Sequence, residues 1–356
     1  CSSDLFLDVY MHEAVETNEE YLFKCYDAYN QLQTYLTKVL ENTGISSKFI
    51  SEQIGLVFHD DIEEYYEDAE HSYMDFLFTR SVDEYKKTKK TLKVENPSKV
   101  HVDELGKLLD AEGNAFVIQQ VKYSFMRAKA MVPARALSAY VVGLLQKLIM
   151  WCENTMRDCA ETLIGLSSKI PHNPAISLPY VQGIFVLIKT IGDSVQGIQD
   201  MVDTVVIPMF QYTYYTIQED YEQFKSDVEE MEEMMDQVLV NLNSWVVDCA
   251  IKQLVYKDEF KFKEEQDQTW MNSQATMSCM KFCQYLKQHF EVIDNSLKGL
   301  NHEVFMNHLG VHLFTEVLGV LKKLRVTPFS GGFMLMYDIR NIINTIEGAG
   351  FSDVVK

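Results

Sequence analysis

Two pairs of metal-ligating side chains, Cys279 with Cys283 and His308 with His312, each stand four residues apart near the C-terminal end of the sequence. Residues four apart share one face of a helix, so the two pairs together could supply the four ligands of a Cys₂His₂ zinc site. Structural zinc sites more often take their cysteines from a tight turn, with closer spacing. The neighbouring residues are also apolar, as in a helical core. We therefore expect no bound metal, and we keep a zinc-stabilised regulator as the less favoured alternative.

An acidic run in the N-terminal third is a second candidate for metal binding. It reads Asp60-Asp61-Ile62-Glu63-Glu64-Tyr65-Tyr66-Glu67-Asp68. Adjacent carboxylates on a helix point to different faces and do not converge on one ion. The run therefore predicts a solvated acidic surface.

The sequence contains none of the common catalytic or nucleotide-binding motifs. It has no phosphate-binding loop, no Gly-x-Ser-x-Gly, no dinucleotide-binding fingerprint and no His-Glu-x-x-His. Glu303 and His308 could form an acid–base pair by type, but their spacing places them on different faces of a helix. We predict no catalytic residue, no cofactor and a function other than that of an enzyme.

Charge and composition limit the partners of the chain. The 356 residues carry a net charge of −20, which argues against nucleic acid, because binding to phosphates needs a basic stripe. No run reaches the ~20 consecutive apolar residues of a membrane span, so we expect only peripheral association with membranes. The seven cysteines are an odd number spread along the sequence, which favours reduced thiols over a disulfide framework.

Two basic clusters are the candidate partner-binding residues. Lys322, Lys323 and Arg325 follow a long apolar-periodic segment, and we expect them in an exposed turn that contacts acidic partners. The other cluster lies ahead of a connecting segment that contains Pro97, and it consists of Lys86, Lys87, Lys89 and Lys90. We interpret it as the solvated end of a linker, with a phosphoinositide-binding patch as the alternative.

The elements that carry these residues are predicted to be helices, because apolar residues recur at helical spacing and strand signals are scarce. Pro208 lies inside a helical run and predicts a kink near Ile207. Met231, Met234 and Met235 are predicted to lie in a bundle core. The predicted helices cover residues 5–40, 46–80, 102–109, 114–132, 134–164, 178–207, 213–256, 267–297 and 300–321.

The last predicted helix leads into a helical hairpin. Pro328 cannot continue the helix, and Gly331-Gly332 tolerates positive φ, so we expect the chain to turn back at the two glycines. Gly183, Gly192 and Gly197 are interpreted as close-packing positions inside a helix. The fold class is predicted to be all-α, an elongated rod of consecutive antiparallel helical bundles with domains at 1–98, 99–215 and 216–356.

Several segments resemble, in the same order, the Sec-ten family of exocyst subunits, also called exocyst complex component five. The most recognisable motif is an apolar helix, a short basic and polar stretch, and then Gly331, Gly332 and Asp338 in Gly-Gly-x-x-x-x-x-Asp-Ile. The resemblance covers residues 116–351, and residues 1–100 do not align with the family. Its weaker collinear matches are 116–128, 150–166, 173–174, 180–210, 248–253, 277–292 and 304–332.

The resemblance implies a non-catalytic subunit of the octameric exocyst, a helical rod that helps to hold secretory vesicles at the plasma membrane before SNARE-driven fusion. It implies other exocyst subunits as partners, the Sec-fifteen subunit first, and a small GTPase as a further one. It also implies a cytoplasmic protein that is recruited to membranes through the complex. Two alternatives with the same architecture are a subunit of a Golgi tethering complex and a Munc-thirteen-type module.

Overall fold

The structure is a computed structural model of the chain. It describes residues 18–40, 46–93, 102–132, 134–170, 174–209, 218–257, 259–261, 275–327 and 330–350. The predictions that concern Pro97 and Pro328 lie outside these residues, as do the side chains of residues 60–65 in the acidic run.

All regular secondary structure within the described residues is helical, so the all-α prediction is confirmed. A 3₁₀-helix covers Val102–Lys107, and two π-helical turns cover Glu153–Arg157 and Val202–Val206. The α-helices are α1 Asn18–Leu40, α2 Ser47–Leu92, α3 Ala111–Met131, α4 Ala134–Cys152, α5 Asp158–Ser167, α6 Pro174–Met201, α7 Ile207–Met209, α8 Gln218–Gln253, α9 Met277–Ser296, α10 Gly299–Leu321 and α11 Ser330–Glu347.

The chain divides into two compact units, each assembled from separate stretches of sequence. Unit 1 comprises residues 1–88, 109–158 and 190–230, and unit 2 comprises residues 89–108, 159–189 and 231–356. The chain passes from one unit to the other within helices, for example inside α2, α6 and α8. The division into three consecutive bundles and the elongated rod stay predictions.

A buried ion pair lies at the centre of unit 1. The carboxylate of Glu70 on α2 accepts hydrogen bonds from Nε and Nη2 of Arg127 on α3, and the Nη2 bond measures 2.9 Å. Tyr66 and Ser124 donate to the same carboxylate at 2.7 and 2.9 Å, and Ser124 also hydrogen-bonds Tyr140 on α4. Because every member of this network has a partner, the charges are tolerated without water, and the network ties α2, α3 and α4 together.

The apolar core of unit 1 forms around α4. Trp151 packs on Phe78 of α2 with ring centroids 6.0 Å apart, and its Nε1–H donates to Ser81 Oγ at 3.0 Å. The predicted helix over 134–164 is observed as α4 and α5, joined by the π-helical turn at Glu153–Arg157. This confirms α4 as a central buried helix.

Unit 2 contains the other core. Phe185 of α6 meets Phe305 of α10 edge to face, with ring centroids 5.3 Å apart. A Cβ on Gly183 would lie 2.9 Å from Leu105 Cβ, so this glycine lets the 3₁₀-helix approach α6. In the part of α6 that belongs to unit 1, a Cβ on Gly197 would make only ordinary contacts and one on Gly192 would make none, so the close-packing interpretation of Gly192 is wrong. Of the three methionines of α8 predicted to be core, Met231 and Met235 are buried and Met234 is half-buried.

Several helix ends differ from prediction, one because of burial and another because of local propensity. Helix α2 was predicted to end near residue 80, but it continues to Leu92 because Tyr85 and Leu92 remain buried along it. Helix α6 begins at Pro174, four residues before the predicted start, since proline suits the first turn of a helix. Pro208 is preceded by the π-helical turn Val202–Val206, so the helical hydrogen bonding is disturbed where the kink was predicted.

Two helical stretches are long and apolar enough to cross a membrane by length and composition alone, namely Ala136–Ser167 and Asn301–Leu321. The share of buried residues in their most apolar windows is 39% and 33%. One or two such helices are weak evidence for a span, because core helices of soluble proteins pass the same test.

Replacing Leu145 with aspartate is expected to unfold unit 1. Leu145 is 5% exposed within α4, and an unpaired carboxylate there destabilises the fold on the order of 4 kcal/mol. Met150 lies on the same helix but is 59% exposed, so Met150→Asp is the matched control. Urea unfolding followed by circular dichroism tests both variants. Equal midpoints for the two would contradict the assignment of α4 to the core.

Candidate functional site

The basic turn, defined as Lys322, Lys323 and Arg325, directly follows α10 in unit 2. All three side chains are exposed, as predicted. The backbone N–H of Lys322 donates to the Leu318 carbonyl at 3.0 Å, so the cations stand at the end of the helix. Cations are favoured there by the partial negative charge of the helix C-terminus. The turn therefore presents a concentrated positive charge on a chain whose net charge is −20.

The carbonyl of Phe260 anchors the segment that follows the basic turn. It accepts a hydrogen bond from the N–H of Thr327 at 3.0 Å. A Cβ on Gly331 would overlap the same oxygen, so the backbone would have to shift to accept any side chain. Phe260 is itself buried, so Thr327 and the first turn of α11 both lie against a carbonyl that belongs to the core.

The role predicted for the two glycines is therefore wrong. Gly331 and Gly332 do not form the turn with positive φ but lie in the first turn of α11. Gly331 is required because the Phe260 backbone comes so close, whereas a Cβ on Gly332 would meet no atom within 4 Å. A glycine pair after a helix is typical of both situations, and the sequence does not distinguish them.

A buried carboxylate links α11 to the start of α9. Asp338 Oδ1 accepts a hydrogen bond from the Thr276 N–H at 2.7 Å, and Oδ2 accepts one from the Thr276 hydroxyl at 2.6 Å. The Thr276 hydroxyl oxygen in turn caps α9 by accepting from the N–H of Cys279 at 3.1 Å. Burial raises the pKa of Asp338, and the hydrogen bonds from Thr276 oppose this shift.

This link corrects two further expectations. Helix α9 begins at Met277, because Thr276 is its cap, whereas the prediction began at residue 267; residues 267–274 lie outside the described part of the chain. Helix α11 packs more extensively against α9 than against α10, so it is not mainly the second arm of a hairpin with α10. In the structure, Asp338, the acidic residue of the motif, thus joins α9 and α11.

The structure does not bring the two candidate zinc-ligand pairs together. Cys279 and Cys283 are buried with their sulfur atoms 3.9 Å apart, and Cys279 also contacts the Asp338 carbonyl oxygen at 3.5 Å. His312 Nδ1 lies 3.2 Å from Asn243 Oδ1, and His308 is exposed. Within the described residues, no group of three or more His, Cys, Asp and Glu side chains could hold a metal ion.

The Lys86–Lys90 cluster lies in the last turns of α2 and not in a linker. Lys86, Lys87 and Lys90 are exposed and Lys89 is half-buried. The cluster is therefore helical, because α2 extends past it to Leu92, and the connecting segment that contains Pro97 lies outside the described residues. Its binding role stays a prediction.

The acidic run also lies on α2. Within the part of the run whose side chains the structure describes, Tyr66 is buried, Glu67 is half-buried and Asp68 is exposed. Its residues thus point to different sides of the helix, as expected for a solvated acidic face that borders a core.

The described residues define a class of protein. They form an all-α protein whose buried polar clusters tie helices together and whose basic turn lies exposed. The class is that of all-α helical bundles.

A comparison with protein families gives the particular family. The family model described as exocyst complex component Sec10-like, alpha-helical bundle, matches residues 107–354, which is more than half of the chain. The chain therefore belongs to this family of exocyst subunits, as the resemblance at Gly331, Gly332 and Asp338 predicted. No curated protein and no solved structure matches the chain. The family consists of structural subunits of a tethering complex, not of known enzymes.

A pair of glycine variants tests the close approach of Gly331 to the Phe260 carbonyl. Gly331→Ala is expected to cost about 2 kcal/mol, because the new Cβ overlaps the Phe260 carbonyl and the backbone must shift. Gly332→Ala is the matched control, and it should be neutral or stabilising by up to ~1 kcal/mol, since alanine favours helix. Thermal or urea unfolding of both variants measures the difference. Equal stability of the two would contradict the close approach.

A buried histidine makes unit 2 sensitive to acid. His289 of α9 is fully buried, its Nδ1 lies 2.9 Å from the Tyr285 carbonyl oxygen, and its ring stacks on that of Tyr285 at 3.9 Å. Burial lowers its pKa from 6.5 to about 4, only partly opposed by the bond to Tyr285. The unfolded chain therefore takes up the proton first when the pH falls.

The stability that His289 contributes as a neutral group is present above pH ~6.5 and is lost as the pH falls towards its folded-state pKa. Between pH 7 and 4.5, protonation of this group in the unfolded chain should lower the free energy of unfolding by about 2 kcal/mol, and His289→Phe should remove that part of the acid sensitivity. The exposed His308, replaced by glutamine, is the control. Urea unfolding at the two pH values measures the effect, and an unchanged acid loss in His289→Phe would contradict it.

Proposed function

We propose that this chain is a non-catalytic part of an exocyst subunit, which helps to hold secretory vesicles at the plasma membrane before SNARE-driven fusion. The observation that carries the proposal is the match of residues 107–354 to the Sec10-like helical bundle. The all-α fold supports it, and so does the use of buried polar groups as ties between helices.

Other exocyst subunits are the partners that family membership implies. We propose the Sec-fifteen subunit as the first of them and a small GTPase as a further one. We also propose that the chain is cytoplasmic and reaches vesicles and the plasma membrane as part of the complex. Its net charge of −20 fits recruitment by protein contacts better than direct adhesion to anionic lipid.

The basic turn is the contact surface that we propose on this basis, and Lys86, Lys87, Lys89 and Lys90 are a second, separate candidate. The basic turn has the better support, because a hydrogen bond to Phe260 holds the chain beyond it and all three of its cations are exposed. A fixed cluster of cations accelerates association with an acidic partner and orients it.

Charge reversal tests the proposal. The triple variant Lys322→Glu, Lys323→Glu, Arg325→Glu should keep its melting temperature within ~2 °C, because exposed charges contribute little to folding. Its binding to purified exocyst subunits, the Sec-fifteen subunit first, should weaken at least tenfold in 50 mM salt and less at 500 mM. Surface plasmon resonance measures both affinities and association rates.

The matched control reverses Lys86, Lys87 and Lys90 on α2, which are also exposed. Unchanged binding of the first variant, with binding lost in the second, would transfer the contact to α2. If the wild-type chain binds no exocyst subunit, the proposed function is wrong. A large fall in melting temperature of the first variant would mean that the basic turn is structural.

A further inference from the structure

Helix α10 is apolar on two faces, and only one of them is covered. The covered face packs into unit 2 through buried side chains, namely Phe305, Met306, Leu309, Leu313 and Val317. On the other side, Val304, Val311, Phe314 and Leu318 are 45%, 57%, 48% and 36% exposed. A surface helix normally carries one apolar stripe, so a second one indicates a further contact.

The spacing of the exposed residues is that of a coiled-coil seam. Val304, Val311 and Leu318 are seven residues apart, which makes them successive a positions of a heptad. Phe314 and the half-buried Leu321 then occupy d positions, and Asn307 is the polar member of the d series. We call Val304, Val311, Phe314 and Leu318 the exposed seam. A strict a/d pattern of this kind favours packing by one more helix.

The residues beside the seam favour a protein helix over a lipid surface. Glu303, His308 and Thr315 occupy the flanking g and e positions and are exposed. A carboxylate next to the apolar stripe is costly in lipid but ordinary at the edge of a helix pair. The length and hydropathy of Asn301–Leu321 therefore do not by themselves make it a membrane contact.

Charge specifies the partner further. Lys322 occupies the next e position after the seam, and Lys323 and Arg325 follow it within three residues. The exposed seam thus ends in the basic turn, and the two form one surface with an apolar part and a cationic end. A helix that covers the seam brings its own flanking residues to these cations, and acidic residues are complementary there.

We propose that the exposed seam and the basic turn together bind an amphipathic helix of another exocyst subunit, with apolar heptads along the seam and acidic residues facing Lys322, Lys323 and Arg325. This inference rests on the proposed function and deepens it, since it names the kind of element that the partner supplies. In this contact, the helix of the partner packs by heptads against the exposed side of α10 in unit 2.

The test uses the double variant Val311→Asp, Phe314→Asp in the full chain. Both positions are exposed, so the melting temperature should change by no more than ~2 °C. Two carboxylates in the seam should weaken binding to the purified exocyst subunit at least tenfold, mainly through faster dissociation. The matched control is Phe116→Asp, Val240→Asp, whose positions are 45% and 51% exposed on α3 and α8.

Three readouts separate the possible occupants. Surface plasmon resonance measures the binding of each variant to the other purified exocyst subunits. A subunit that binds the wild-type chain should bind the seam variant at least tenfold more weakly and the control variant equally well. Sedimentation velocity of the wild-type chain should show no dimer, and a dimer that the seam variant abolishes would overturn the proposal in favour of self-association. Co-sedimentation with phosphatidylserine–phosphatidylcholine vesicles should show no binding that depends on the seam, and such binding would assign the seam to lipid.

Failure of the inference is distinguishable from failure of the proposed function. If the wild-type chain binds an exocyst subunit and the seam variant binds it equally well, the inference is wrong and the proposed function stands. If the wild-type chain binds none of the subunits, the proposed function fails, and the inference that rests on it fails as well.

Discussion

The hydrogen bonds between Asp338 and Thr276 fix the arrangement on which the candidate surface depends. They put a buried carboxylate of α11 on the first turn of α9, where the Thr276 hydroxyl already serves as the cap. A buried carboxylate must have donors, so α11 can take only positions that keep both bonds. Helix α11, held in this way, begins with Gly331 against the Phe260 carbonyl, and the same carbonyl accepts a hydrogen bond from Thr327 beyond the basic turn.

A buried carboxylate with fixed hydrogen-bond partners also positions the helices of unit 1, with different residues. Glu70 and Arg127 are fully buried, and hydrogen bonds from Tyr66 and Ser124 complete the coordination of the carboxylate. Apolar stripes bring helices together but allow them to slide by a turn, because one leucine resembles the next. A buried ion pair with fixed partners penalises every other register. In each unit, the stripes supply the driving force and a buried carboxylate selects the arrangement.

These two contributions, the apolar stripes and the buried carboxylates, explain which features could be predicted from the sequence. Helical periodicity predicts α4 and α8, because each of these helices buries a stripe that is visible along the chain. Glu70 follows an acidic run two residues earlier, so local reasoning places it on the surface, and only the meeting with Arg127, 57 residues later, makes it internal. Gly331 shows the same limit, since the need for glycine comes from the Phe260 backbone, 71 residues away in sequence.

For the same reason, only one part of the candidate surface, the basic turn, could be predicted from the sequence. The exposure of the basic turn follows from its place after α10, where the apolar pattern ends. The exposed seam could not be recognised, because a helix with apolar residues on most of its surface predicts only that it is buried. Val311 and Phe314 differ from Leu309 and Leu313 in their surroundings and not in their chemistry. Exposure divides α10 into a face that builds unit 2 and a face that remains available, and the cations at its end give the available face a preference for acidic partners.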